Sequence, residues 1–180
     1  MSVINTERLI LRPFKENDAE AMYKNWTSDE RVAKYCRWYP HDNIDITKEL
    51  LKMYLNEEEQ GFEYNWAIVL NGTDEPIGTI GVIETDEERR SAEIGYVLAY
   101  NHWGKGYATE ALKAVIDALF CKGFAVIEAD CHVDNSASYR VMEKCGMKFL
   151  RNDKEAVKSG SDELCDVKWY QIKNEKRRQN

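Results

Sequence analysis

The chain has 180 residues, 43% of them hydrophobic and 32% charged, and a formal net charge of −7 at pH 7. That length makes one domain over residues 1–180 the simplest organisation, able to bury roughly 70% of its unfolded surface without a disulfide or metal staple. The tail from Lys173 to Asn180 holds four cations and one anion, a balance of +3, so residues 1–172 carry about −10, which disfavours DNA and suits a cationic amine as partner.

The opening from Met1 to Arg8 lacks the apolar core of a signal peptide, and no later run reaches the length of a membrane span, so no membrane anchor is expected. Arg8-Leu9-Ile10-Leu11-Arg12 reads as a first strand stopped by Pro13, with a helix from about Asp18, placed as its N-cap, to Trp26. A short second helix begins near Ser28 or Asp29. The aromatic-rich connection Tyr35 to His41 leads into a third helix from about Ile46 to Glu59, with Leu50, Leu51, Tyr54 and Leu55 as its apolar stripe.

From Tyr64 the period changes to two. Tyr64 to Leu70, Pro76 to Glu84 and Ser91 to Ala99 read as strands, and their short links imply an antiparallel meander. A helix from about Tyr107 to Cys121 turns Ala111, Leu112, Val115, Ile116 and Leu119 toward that sheet. A further strand, Ala125 to Val133, alternates apolar Ile127, Ala129 and Cys131 with Glu128, Asp130 and His132, and precedes a helix capped by Asp134 or Asn135 and closed by Gly146. Met147 to Arg151 and Glu163 to Ile172 complete the sheet, and the polar stretch Asn152 to Asp162 between them is expected to be a mobile loop.

Five cysteines without a Cys-x-x-Cys pair suit a reducing, cytoplasmic setting, and the three histidines His41, His102 and His132 lack metal-ligand spacing, so no metal is expected. The most informative stretch is Trp103-Gly104-Lys105-Gly106-Tyr107-Ala108-Thr109-Glu110-Ala111, a glycine turn between a strand and a helix. Two glycines let the backbone approach a ligand and turn N–H groups one way, while the helix start adds unpaired amides and the positive end of its dipole. A diphosphate is the natural occupant. The Walker and dinucleotide patterns both fail here, the first for want of a Lys-Ser or Lys-Thr pair and the second for want of a third glycine.

This order of elements, with the helix opened by Asn135-Ser136-Ala137-Ser138, resembles the GNAT superfamily of acyl-CoA-dependent N-acyltransferases. Within it, Thr6 to Pro13, Trp103 to Ala111 and Asn135 to Gly146 look like the RimJ/RimL ribosomal-protein N-acetyltransferase subgroup. The resemblance implies an α/β (α+β) fold whose mixed, mostly antiparallel sheet of about seven strands is flanked by helices and splays into a cofactor cleft between the fourth and fifth strands. It also implies acetyl-CoA as cosubstrate, held by the backbone of Gly104, Lys105, Gly106, Tyr107, Ala108 and Thr109 at its diphosphate, by the main chain of Tyr96, Val97 and Leu98 along its pantetheine arm, and by Asn135 from the other side.

Acyl transfer to an amine needs a base, an oxyanion donor and an acid for the departing thiolate. Glu93 is the first candidate for the base, since it shares a strand face with Gly95, Val97 and Ala99, where partial burial raises a carboxyl group's pKa; Glu84 is a lesser alternative, and the bland reading pairs Glu93 with Arg89 or Arg90. The oxyanion donor implied by the resemblance is a main-chain N–H near Leu98. Many members of the superfamily place an acidic tyrosine four residues after the position of Ser138, where this chain has Met142, so the acid falls to Ser138 or to its neighbour Tyr139. Acceptor selection is expected from the aromatic connection, with Trp38 and Tyr39 as candidate contacts. The acceptor itself, a protein N-terminus or a small amine, is left open, as is a homodimer; the rival reading is a CoA-binding regulatory module that has lost catalysis.

Overall fold

The computed structural model describes residues 2–62 and 64–175, so the basic tail falls outside it beyond residue 175. Eight strands form one open sheet in the order β1-β2-β3-β4-β5-β6-β8-β7. They are β1 Ile4–Asn5, β2 Leu9–Arg12, β3 Asn65–Leu70, β4 Pro76–Asp86, β5 Ser91–Leu98, β6 Val126–His132, β7 Lys148–Ala156 and β8 Leu164–Lys173. Neighbours run antiparallel except β5 and β6, which are parallel because the crossover helix α4 (Tyr107–Lys122) joins them. Of these strands, β1 alone has no counterpart in the sequence reading; two residues are too few to leave a period.

Helices cover both faces. On one side α4 and α5 (Ser136–Lys144) bury Leu112, Leu119 and Met142 against Leu9, Trp66, Ile80, Ile94 and Ile127. On the other, α1 (Ala19–Met22), α2 (Glu30–Ala33) and α3 (Ile44–Glu59) enclose Phe14, Met22, Trp26, Val32, Leu51, Ala67 and Val69. Strand β3 serves both cores: Trp66 and Ile68 face one, Ala67 and Val69 the other. The second core lies under β2 to β4, and this half-cover leaves the carboxylate-bearing face of β5 to β8 to the connections.

Three local outcomes differ from the sequence reading. Asp18 holds the N-cap position of α1 but does not cap it with its side chain: its carboxylate accepts both guanidinium branches of Arg12, at 2.7 and 2.8 Å, and the Lys15 N–H at the start of a 3-10 turn over Glu16–Asp18, and beyond α1 the chain winds as a π-helical turn over Tyr23–Thr27. A buried guanidinium needs that carboxylate more than a helix terminus does. Helix α3 starts two residues earlier than expected, where Asn43 caps it by accepting the Asp45 N–H.

The third difference is the supposed mobile loop. Residues 152 to 156 continue β7 as an edge strand, whose polar, outward-facing side chains hide the apolar alternation that marks a half-buried strand. The remaining turn is tied down: Lys158 Nζ donates to the carbonyls of Ala33, Cys36 and Trp38 at 2.8, 2.7 and 3.0 Å, and the Ser159 N–H donates to Arg37 O at 2.7 Å. The β7–β8 hairpin thus buttons onto the connection after α2.

Candidate active site

β5 and β6 pair over three positions, Ser91 with Val126, Ala92 with Ile127 and Glu93 with Glu128, and then diverge. The gap is a cavity of about 470 Å³ between β5 and α5. Val97 O packs on Gly78 of β4 and the Ala99 N–H donates to Ile77 O, so the peptide groups of the alternate residues Tyr96 and Leu98 face away from β4, toward the gap. The Leu98 carbonyl is taken by Trp103 Nε1 at 2.8 Å, which leaves its N–H. Val97 therefore offers the cleft its side chain, and not the main-chain pairing read for it from the sequence.

The glycine turn lies at the open end. Gly104 and Gly106 have φ of 73° and 85°, left-handed values that strain any other residue, and Gly106 caps α4. Gly104, Gly106, Tyr107, Ala108 and Thr109 line the cavity, with Lys105 outside its wall. The turn is braced against β2 through Glu110 on α4: its carboxylate accepts Thr6 Oγ1 at 2.7 Å, the Arg8 N–H at 2.8 Å and Arg8 Nε at 2.7 Å, while Arg8 Nη1 reaches Lys105 O at 3.0 Å. Two motifs a hundred residues apart in sequence are thereby one piece of structure.

Across the cavity stands α5. Asn135 caps it, Oδ1 accepting the Ser138 N–H at 3.2 Å, and both residues line the gap together with Arg140 and Lys144. The two cations fall four residues apart, one turn along the helix, and suit phosphate groups. Ser138 Oγ lies 2.9 Å from the hydroxyl of Tyr96, which reaches it from β5. Tyr139 turns away, its ring stacked on Tyr170 of β8 and under Lys168, and Met142 is wholly buried in the core. Of the two candidates for the acid, geometry brings Ser138 to the cleft.

Glu93 stands at the last paired position of β5 and β6, where the strands begin to part; it does not line the cavity, and its place on the strand puts it on the opposite sheet face from Tyr96, which meets Ser138. Its Oε1 is buried without a hydrogen-bond partner. Burial, then the charge of Asp130 on the neighbouring strand, push its carboxyl up to about 7; Arg37 opposes the shift, while Glu84 and Glu155 add to it. Arg37 Nη2 meets Asp130 Oδ2 at 2.5 Å and its Nη1 lies 3.9 Å from Glu155. Asp130 is itself raised, by burial, against the pull of Arg37. The ion pair expected as the bland alternative does not form with Glu93: Arg89 pairs with Glu128 and Arg90 caps the Gly123 carbonyl.

From the aromatic connection, Tyr35 and Cys36 line the cavity. Trp38 and Tyr39 do not; Trp38 packs on the helical core and edge-on to His41, and Tyr39 is exposed above Lys158. Their main chain matters more, since Lys158 holds it. Arg37 and Asp130 escaped the sequence reading because an Arg in a loop and an Asp on an alternating strand both read as solvent-facing. Among the described residues, no group of three or more His, Cys, Asp or Glu is gathered in a way that holds a metal.

A gap between diverging parallel strands, with a bared sheet edge on one side and a glycine-capped helix start at its mouth, is built for an extended ligand that carries phosphate at one end. The acetyltransferase (GNAT) domain family matches residues 8–148, and the chain belongs to it. Uncharacterized N-acetyltransferase p20 of Bacillus licheniformis is 36% identical over 175 residues, 96% of each chain. A GNAT-family acetyltransferase from Bacillus anthracis superposes with a TM-score of 0.83 at 30% identity, covering 96% of this chain and 98% of that one. RimL, the ribosomal L7/L12 alpha-N-protein acetyltransferase, in complex with coenzyme A, shares the fold at a TM-score of 0.79 and 19% identity, with 96% and 98% covered. The chain is an acetyl-CoA-dependent N-acetyltransferase.

Proposed function

We propose that this chain, one domain over residues 1–180, moves acetyl from acetyl-CoA to a primary amine by direct attack in a ternary complex, in the cytoplasm. The observation that carries the reading is the gap between β5 and β6, with the glycine turn at its mouth and Ser138 on its wall. The amides of Gly104 to Thr109 hold the diphosphate, with Lys105, Arg140 and Lys144 supplying positive charge. Main-chain groups of Tyr96 and Leu98 pair with the pantetheine arm as an added strand would, and Asn135 closes on it from α5.

The acceptor comes to Glu93 as an ammonium ion. With its carboxyl at about 7, Glu93 ionises near neutrality and takes the proton that makes the nitrogen a nucleophile. The freed Leu98 N–H supports the oxyanion, and Ser138 donates to the sulfur as the C–S bond breaks. Glu155 and Asp130 make the approach acidic, which favours amines that carry positive charge, whether the α-amine of a protein N-terminus, as in the named activity of RimL, or a small molecule.

The test is release of CoA thiol from acetyl-CoA across N-terminal peptides, polyamines and amino sugars, beside acetyl-CoA binding by calorimetry. Binding with amine-dependent release is expected and names the acceptor class. Binding without release from any amine would favour a regulatory module, and no binding would overturn the assignment of the cleft.

A further inference from the structure

The buried hydroxyl of Tyr96 finds both of its hydrogen-bond partners on one residue, Ser138 of the cleft wall. Its oxygen is 2.9 Å from Ser138 Oγ and 3.1 Å from the Ser138 carbonyl oxygen. We propose that Tyr96 is a positioning residue for thiolate departure: by donating its phenolic hydrogen to Ser138 Oγ, it turns the hydroxyl hydrogen of Ser138 into the cleft, toward the sulfur of the cosubstrate. The inference rests on the reading of Ser138 given above and adds a second residue to it.

A serine hydroxyl has one hydrogen, and near the start of a helix it bonds readily to a nearby carbonyl, where it is lost to a ligand. The Ser138 hydrogen can point to the Tyr96 oxygen, to the Cys131 thiol or into the cleft, and the Tyr96 phenol decides whether the first of these is open. If the phenol donates to the carbonyl, its oxygen accepts the serine hydrogen and the serine is silenced. If it donates to Oγ, the serine hydrogen is left for the cleft or for the thiol of Cys131, which also lies within hydrogen-bond reach of Ser138. The second arrangement uses the shorter contact and puts the more acidic hydroxyl in the donor role. It also strengthens during the reaction, because a serine that donates to a growing negative charge becomes a better acceptor from Tyr96.

Burial raises the Tyr96 pKa, so the phenol stays protonated, and remains a donor, at every pH at which the enzyme works. No proton leaves Tyr96. The C–S bond breaks, its electron pair stays on sulfur, and the Ser138 O–H stabilises that charge as a hydrogen-bond donor. A phenol thus reaches the thiolate end of the cleft from β5, while the helix position one turn beyond Ser138 is filled by Met142, buried in the core.

Tyr96→Phe, Ser138→Ala and the double variant test this. Removing one hydrogen bond realised at the transition state lowers kcat about tenfold. For Tyr96→Phe we expect that loss with the acetyl-CoA Kd within about twofold of wild type, and a double variant no slower than Ser138→Ala alone. Unchanged kcat in Tyr96→Phe, or losses that multiply in the double variant, overturns the inference and leaves Ser138 standing. Unchanged kcat in Ser138→Ala removes the reading of Ser138 itself. Should Tyr96→Phe instead weaken acetyl-CoA binding about tenfold with kcat at saturation unchanged, the phenol serves binding and the proposal fails.

Discussion

Glu93→Gln should make the protein less active and more stable at once. The folded carboxyl releases its proton at about 7, against 4.5 for an ordinary glutamate, because it is half-buried beside Asp130 with Oε1 unpaired. Between those values the folded chain holds a proton that the unfolded chain has lost, so stability falls as pH rises from 4.5 to 7. Above pH 7 both states are ionised, and the folded one carries its charge in poorer surroundings. At 1.36 kcal/mol per unit the full shift sets a ceiling of about 3.4 kcal/mol, which solvent screening at a half-exposed site reduces to about 1–2 kcal/mol. Gln carries no charge, so the variant should gain that amount at pH 8, a Tm higher by roughly 3–6 °C, and gain nothing near pH 4.5. Its kcat/KM at pH 8 should fall about a hundredfold. Thermal denaturation at the two pH values, paired with acetyl transfer, reads both effects. A variant less stable than wild type at pH 8, or equally stabilised at both pH values, would refute the account of Glu93 as a raised, poorly solvated base.

The neighbours of Glu93 pull in opposite directions, so Asp130→Asn should move the acidic limb of the kcat/KM profile to lower pH and Arg37→Met should move it to higher pH; shifts of the same sign would count against the pairing. Gly106→Ala forces a β-carbon into a left-handed backbone at φ 85° and within 3.3 Å of Arg8 Nη2, and should cost about 1–2 kcal/mol of stability together with about tenfold in acetyl-CoA affinity by calorimetry. Lys158→Met removes the donor that gathers three carbonyls at 2.7 to 3.0 Å, so it should raise KM for the acceptor several-fold, leave acetyl-CoA binding unchanged, and open residues 157–163 to limited proteolysis.

What was legible in the chain were the elements with strong periods and clear punctuation. α4, with Gly106 before it and Gly123 after it, falls within a residue of its expected bounds, as does β5. The places of Glu93 on β5 and of Ser138 on α5 followed from those elements, while their parts in the reaction are what the Glu93 and Ser138 variants test. Most of the misses come from specific side-chain partners that a hydrophobic period does not register. Asp18 looked like a cap until Arg12, six residues earlier, claimed it. Asn152 to Asp162 looked mobile until Lys158 found carbonyls more than a hundred residues away. Arg37 and Asp130 meet across a separation of 93 residues, and no local period foretells such a pair.

The brevity of the β5–β6 contact has a consequence for how the molecule holds together. β1 to β5 form one hydrogen-bonded ladder, and β6, β8 and β7 another, with three backbone register pairs between them. Without a ligand the two ladders are stitched at one end and free at the other, like a hem left open. A pantetheine arm lying along Tyr96 and Leu98 would continue the stitching, so that the cosubstrate becomes a structural strand as well as a reagent. Amide hydrogens of β6 and β8 should then exchange as a block separate from β2 to β4 in the empty protein, and the two blocks should merge into one when acetyl-CoA is bound.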